Sequence, residues 1–234
     1  MKSVPRQDIR TRPAYSAADA ARFLRLPVST VRAWSFGQRY AVAGDSRRFK
    51  PVISVADPAR RFLSFLNLVE LLVLAAIRHK HKVPLGKVRK ALDYLRKNLT
   101  TDHPLADHQF LTNGVDLFVE HYGKILNLSR NGQIEIRDMI VAYLKLVDRD
   151  DQGIPIRLHL PKVASIDAQP APSAIVIDPR FGFGRPVIEG SGVRIDVMVE
   201  RFNSGEGIVE LAADYGLPAA VIEDAIRLNT AKAA

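Results

Sequence analysis

The sequence predicts an α+β protein, mainly helical with a β-rich middle, and three observations predict it. Apolar residues recur at helical spacing over residues 66–99, alternate in short runs between residues 115 and 160, and return to helical spacing from residue 196 onward. A 47% hydrophobic content over 234 residues is ample for buried cores and excludes disorder throughout.

The first helix is expected over residues 16–24. Ser16 can cap it, Asp19 sits well in its first turn, and Ala17, Ala20, Ala21 and Leu24 share a small-residue face. A second helix, residues 28–36, follows the short turn Arg25-Leu26-Pro27; Val31 and Trp34 share one face, and Gly37 ends it. Two short helices crossing closely through small alanines make a helix-turn-helix. The runs 39–42 and 47–53, joined by a Gly44-Asp45 turn, read as a hairpin with basic residues beside its tip, which is a wing.

Residues 66–80 read as a strongly apolar helix. Residues 85–99 read as another, with Leu85, Val88, Leu92 and Leu95 on one side and basic residues at 87, 89, 90, 96 and 97 on the others. Asn113-Gly114 and Asn131-Gly132 precede the alternating runs Val115 to Val119 and Gln133 to Ile136, the pattern of a β-hairpin insert. A helix over 137–147 and a strand over 156–160 complete the middle. Residues 165–174, with Pro170 and Pro172 among alanines, read as a linker. Beyond it come a strand at 175–177, the loop 181–186, and three helices at 196–203, 207–215 and 218–228. Gly216 closes the second of these and Pro218 opens the third. The expected domains are therefore 1–100 (winged helix-turn-helix), 101–164 (β-rich middle), the linker 165–174, and 175–234 (a three-helix, helix-turn-helix-like unit).

Charge points to a partner. Residues 1–100 carry 21 Lys+Arg against 6 Asp+Glu, a net of +15, whereas residues 101–234 carry 13 against 19, a net of −6. Cationic side chains that neutralise phosphates release condensed counterions, so the first hundred residues suit nucleic acid. On the second helix, Ser29, Thr30 and Arg32 are the candidate DNA contacts: arginine matches the two acceptors of guanine, and short hydroxyls at a helix start suit phosphate. Arg39, Arg47, Arg48 and Lys50 are the candidate contacts of the wing. In the tail, Glu206, Glu210, Asp214, Glu223 and Asp224 would repel phosphate, so a docking or dimerising role is expected there.

Other classes are disfavoured. Absence of cysteine excludes disulfides, thiolate metal sites and cysteine nucleophiles. The most apolar stretch, residues 68–77, contains Glu70 and is far short of the roughly 20 residues that span a bilayer, and residues 1–13 lack the apolar run of a secretory signal, so a cytoplasmic protein without membrane contact is expected. The segments 182–184 and 190–192 lack the later residues of a dinucleotide fingerprint or a phosphate loop. His79 and His81 fall on different helix faces, His103 and His108 flank a proline loop, and Asp148, Asp150 and Asp151 read as a solvated helix end. No catalytic residue, metal or cofactor is assigned.

Two resemblances sharpen this. Tyr15 to Leu24, Ser29 to Trp34 and Pro84 to Val88 together resemble MerR-like winged helix-turn-helix regulators over residues 14–99. That resemblance implies that Trp34 anchors the recognition helix and that Arg32 points at DNA. Arg25 stands at the family's usual turn glycine, where a positive φ costs about 1 kcal/mol. The long dimerisation coiled coil of those regulators is lacking, so their twisting mechanism is not expected. The tail, from Ile175 to Pro179 through Gly184 to Ile188 and Gly192 to Ile195 into the final helices, looks like domain-of-unknown-function family 433, with Val193 where that family commonly has threonine. Head, middle and tail together resemble the larger VapB-type antitoxins. The resemblance implies a homodimer that binds double-stranded operator DNA and restrains a cognate PIN-like ribonuclease toxin. Arg185 and Arg194 could block an acidic metal site in such a nuclease and are the candidate partner contacts. A stand-alone regulator with a ligand-sensing middle is the alternative.

Overall fold

The computed structural model describes residues 8–42, 45–79, 85–99, 101–162 and 171–230. Helix α1 (Ala17–Leu24) starts with a full capping box: the Ser16 hydroxyl accepts from the Asp19 amide at 3.0 Å, and the Asp19 carboxylate accepts from the Ser16 amide at 3.1 Å. Its small face, Ala17, Ala20 and Ala21, is buried. Helix α2 (Val28–Phe36) packs against it, with Val31 and Trp34 inside. The antiparallel hairpin β1 (Gln38–Val42) and β2 (Asp45–Phe49) follows directly.

Helix α3 (Phe65–His79) is the axis of the core. Leu68, Val69, Leu71, Leu72, Val73, Leu74 and Ile77 are all buried, so the helix is covered on every side, as its near-continuous apolar sequence requires. Helices α1 and α6 (Arg130–Leu144) pack on it, and α4 (Leu85–Leu99) and α5 (Val115–Leu126) extend the same apolar cluster, with α5 between α4 and α6.

Helices α5 and α6 correct the sequence reading, which placed strands at Val115 to Val119 and Gln133 to Ile136. Val115, Phe118, Val119 and Tyr122 are buried in α5 along with Gly123, a helical i, i+3, i+4, i+7 stripe that a five-residue window mimics as alternation. Asn113-Gly114 ends a wide π turn (Phe110–Gly114) rather than a hairpin; a Cβ on Gly114 would meet Phe110 Cδ2 at 2.9 Å. Asn131-Gly132 lies in the first turn of α6, where the Ser129 hydroxyl accepts from the Gly132 amide at 3.2 Å. Gly123 lets α6 approach, since a Cβ there would stand 2.7 Å from the Gln133 side chain.

The α+β class holds, but its sheet is built later in the chain. Strands β3 (Val147–Arg149), β4 (Pro155–Pro161), β5 (Pro172–Ile177) and β6 (Val187–Ile188) form an antiparallel sheet in sequence order. Asp148 is therefore a strand residue, not a helix end, and Asp150 instead orders the β3–β4 turn, its carboxylate accepting from the Gln152 and Ile154 amides at 3.0 and 2.9 Å. Of the linker stretch, residues 165–170 lie outside the described residues and Pro172–Ala174 belong to β5, so strands from both sides of it share one sheet.

The tail closes with α7 (Ile195–Asn203), α8 (Ile208–Tyr215) and α9 (Ala219–Thr230). Gly216, left-handed at φ 63°, makes the α8–α9 turn. Helix α9 packs on α7, on β5 and on α1, so the apolar core runs continuously from the first helix to the last.

Candidate nucleic-acid interface

The exposed face of α2 follows from one anchor. Trp34 is buried, its carbonyl accepts from the Val52 amide at 2.7 Å, and the Arg78 guanidinium lies 5.6 Å from its ring centre. With Val31 and Trp34 turned inward, Ser29 and Arg32 are exposed and Thr30 is half-buried. Arg32 has neither a hydrogen bond nor an ion pair among the described residues. No side chain caps α2, whose N-cap is Pro27, so its first-turn amides are open to an external acceptor such as phosphate.

The turn into α2 carries the expected strain. Arg25 sits in the left-handed region at φ 54° and ψ 42°, and its amide and that of Leu26 tie back to α1 at the Arg22 and Ala21 carbonyls. Burial lowers the pKa of its guanidinium, while Asp224 of α9 favours the charge.

In the hairpin, register places Arg39 opposite Arg48 and Tyr40 opposite Arg47. The Gly44 of its expected turn lies outside the described residues. Gly37 begins the hairpin at φ 75°, and a Cβ there would stand 2.3 Å from the Phe49 carbonyl oxygen, so this turn requires glycine. Lys50 is exposed at the exit of β2.

Two arginines that sequence reasoning left on the surface of α4 bind the hairpin's exit instead. Arg89 donates to the Lys50 carbonyl and, at 3.3 Å, to the Pro51 carbonyl, and lies 4.3 Å from the Phe49 ring centre. Arg96, two turns further along the same face, donates to the Val52 carbonyl at 2.6 Å. Part of the basic excess of the first hundred residues thus holds the exit of the hairpin in place.

Glu70 is fully buried in α3. It accepts from Asn67 at 3.2 Å and faces His103 Nδ1 at 2.9 Å. Burial raises the Glu70 pKa. Burial opposes charge on His103, but the hydrogen bond and charge of Glu70 outweigh it and hold the imidazole above its ordinary value. This pair fastens the 101–108 loop to the core.

Across the sheet, His159 Nε2 lies 3.0 Å from Asp148 and Nδ1 lies 3.9 Å from Glu189, donor atoms close enough to share a metal. Arg157 stands among them at 2.9 Å from Glu189 and 3.6 Å from Asp148, already supplying a cation.

The candidate partner contacts have intramolecular partners. Arg185 pairs with Asp19 of α1 at 3.3 Å, and Arg194 forms a two-pronged pair with Asp196 at the start of α7. Among the described residues, the Arg185–Asp19 pair is one of three side-chain hydrogen-bonded ties between tail and head. The others are Tyr15 Oη to the Gly184 carbonyl at 2.9 Å, fully buried, and Arg22 to the Asn229 side chain at 2.8 Å.

Known proteins share this layout. Residues 13–92 match the family model described as "Putative DNA-binding HTH domain", and residues 175–228 match "Protein of unknown function (DUF433)". A Mycobacterium tuberculosis H37Rv protein named "Putative antitoxin VapB45" is 28% identical over 230 residues, covering 92% of each chain. "Uncharacterized protein Rv2308" of the same organism is 28% identical over 222 residues, covering 92% of this chain and 89% of its own. The crystal structure of Rv2018 from Mycobacterium tuberculosis superposes with a TM-score of 0.64 at 24% identity, over 92% of this chain and 97% of that one, which shows a shared fold. The chain thus carries a helix-turn-helix segment at its head and a DUF433 segment at its tail, and is similar over nearly its whole length to a protein named as an antitoxin.

Proposed function

We propose that this chain is the antitoxin of a type II toxin–antitoxin pair, a non-enzymatic cytoplasmic protein that binds its own operator as a homodimer and restrains a PIN-like ribonuclease by direct contact. The observation that carries the DNA half is α2 itself: Arg32 is exposed and unpaired among the described residues, on a helix pinned by buried Trp34 beside a basic hairpin. Ser29, Thr30 and Arg32 would meet base edges or phosphate, and Arg39, Arg47, Arg48 and Lys50 the flanking backbone. Similarity to a protein named as an antitoxin supports the toxin half. Among the described residues, no helix is long and apolar enough to cross a membrane.

Two experiments test the reading. In gel shifts on the promoter fragment upstream of its own reading frame, Arg32→Ala is expected to weaken binding by about 1–3 kcal/mol if Arg32 contacts a base bidentately. Unchanged affinity removes that assignment. Co-expression with the product of the adjacent reading frame is expected to yield a stable complex and relieve growth arrest. Failure of both leaves a stand-alone regulator and overturns the toxin half.

A further inference from the structure

The loop between β5 and β6 is built to a standard its own burial does not explain. Asp178, a buried carboxylate, accepts from the Arg180 amide at 2.9 Å and from the Arg180 guanidinium at 2.9 and 2.6 Å. The amides of Phe181, Gly184 and Arg185 return to the carbonyls of Asp178, Phe181 and Gly182 at 3.0, 2.9 and 2.9 Å. Gly184 is clamped from below by the Tyr15 hydroxyl, and a Cβ there would lie 2.6 Å from that oxygen. The hydrogen-bonded anchors of this loop are polar, yet its aromatic side chains face outward: Phe181 is 57% exposed and Phe183 is 92% exposed.

Phe183 also adopts the left-handed region, at φ 55° and ψ 31°, a conformation that a bulky side chain rarely takes. Strain that persists without compensating burial belongs to sites where a rigid shape is used. Beside Phe183 opens a cavity of about 410 Å³ whose apolar walls include Ile9, Pro13 and Phe65. The ionisable groups of its lining besides Tyr15 are Arg12 and Arg180, with no carboxylate among them. Arg180 is committed to Asp178, whereas Arg12 is exposed and without an ion pair among the described residues.

We infer that the Phe183 loop and this cavity form a docking site for a segment of the partner protein that presents an apolar side chain with a carboxylate beside it. The apolar group fills the cavity against Phe183, and the carboxylate meets Arg12. A pre-ordered loop loses little conformational freedom on binding, so exposed aromatic area there converts efficiently into affinity. This inference rests on the toxin-pairing reading and places the contact in the β5–β6 loop rather than at Arg185 or Arg194, which are engaged within the chain.

The test is co-purification of the tagged full chain with the product of the adjacent reading frame. If the wild-type chain does not retain that product, the antitoxin reading fails and the docking site fails with it. Where wild type retains it, Phe183→Asp is expected to weaken retention roughly tenfold or more, as loss of a central aromatic anchor does. Arg12→Glu is expected to weaken it too, and raising salt should erase the difference between Arg12→Glu and wild type. Both variants should keep the wild-type melting temperature and promoter binding. Full retention by both variants overturns the docking site while the antitoxin reading stands. A fall in the mass of the free protein on Phe183→Asp, read by light scattering, makes the loop a contact between copies and likewise overturns it.

Discussion

Tyr15→Phe tests whether head and tail are one folded unit. The Tyr15 ring is buried and meets Phe23 edge-on at 6.3 Å, and its hydroxyl donates at 2.9 Å to the carbonyl of Gly184, 169 residues away in sequence. Burial pushes the pKa of this hydroxyl well above the ordinary tyrosine value, so it remains a donor at any working pH. Phenylalanine keeps the ring and removes only the hydroxyl, leaving a buried carbonyl without its donor, at a cost of about 1–2 kcal/mol. For a chain of this size that lowers the midpoint of thermal unfolding by about 3–6 °C. Differential scanning calorimetry reads the shift directly. Tyr15→Ala, which also removes the ring, should cost about 3–5 kcal/mol. A Tyr15→Phe protein melting with wild type would refute the buried tie, and with it the seating of the β5–β6 loop on α1.

Three further outcomes follow from single contacts. Arg25→Gly relieves a left-handed arginine and should stabilise the protein by up to about 1 kcal/mol in urea titrations, whereas destabilisation would mean that its contacts outweigh the strain. Arg89→Ala removes two carbonyl contacts and a stacked ring, and should both lower the melting temperature and weaken promoter binding by loosening the wing; an Arg89→Ala protein with unchanged melting would contradict the clamp. The folded-state pKa of His103 is raised above 6.5, so its stabilisation is full below that value and is lost as pH climbs through the folded value. Glu70, also raised, acts in the same direction from its ordinary 4.5 upward. The stability gap between wild type and His103→Gln should therefore shrink as pH rises from 6.5 through the folded value, and a widening gap would contradict the pairing.

What was legible in the sequence was what short-range chemistry dictates. Ser16 and Asp19 announced α1, Val31 and Trp34 fixed the buried face of α2, and Gly37 marked the turn into the hairpin. The errors arose where a local pattern was too short to distinguish two periods. Val115 to Val119 alternates over five residues, and only Tyr122, a turn further on, discloses the helical stripe. The candidate site divided the same way. Ser29 and Arg32 are exposed because their helix face is set by near neighbours. The engagement of Arg89, Arg96 and Arg185 depends on residues 38, 44 and 166 positions away, and no local spacing encodes it. The buried Glu70–His103 pair is hidden for the same reason, its members being separated by the whole of α4.

If α2 and its hairpin bind duplex DNA through cationic contacts, fluorescence anisotropy of the full chain on its own promoter duplex across about 50–200 mM salt will show it. The affinity is expected to fall steeply and linearly on logarithmic axes, with a slope made shallower by about one for each phosphate contact removed by mutating Lys50 or the hairpin arginines. A binding constant indifferent to salt, or no binding at the lowest salt, contradicts it.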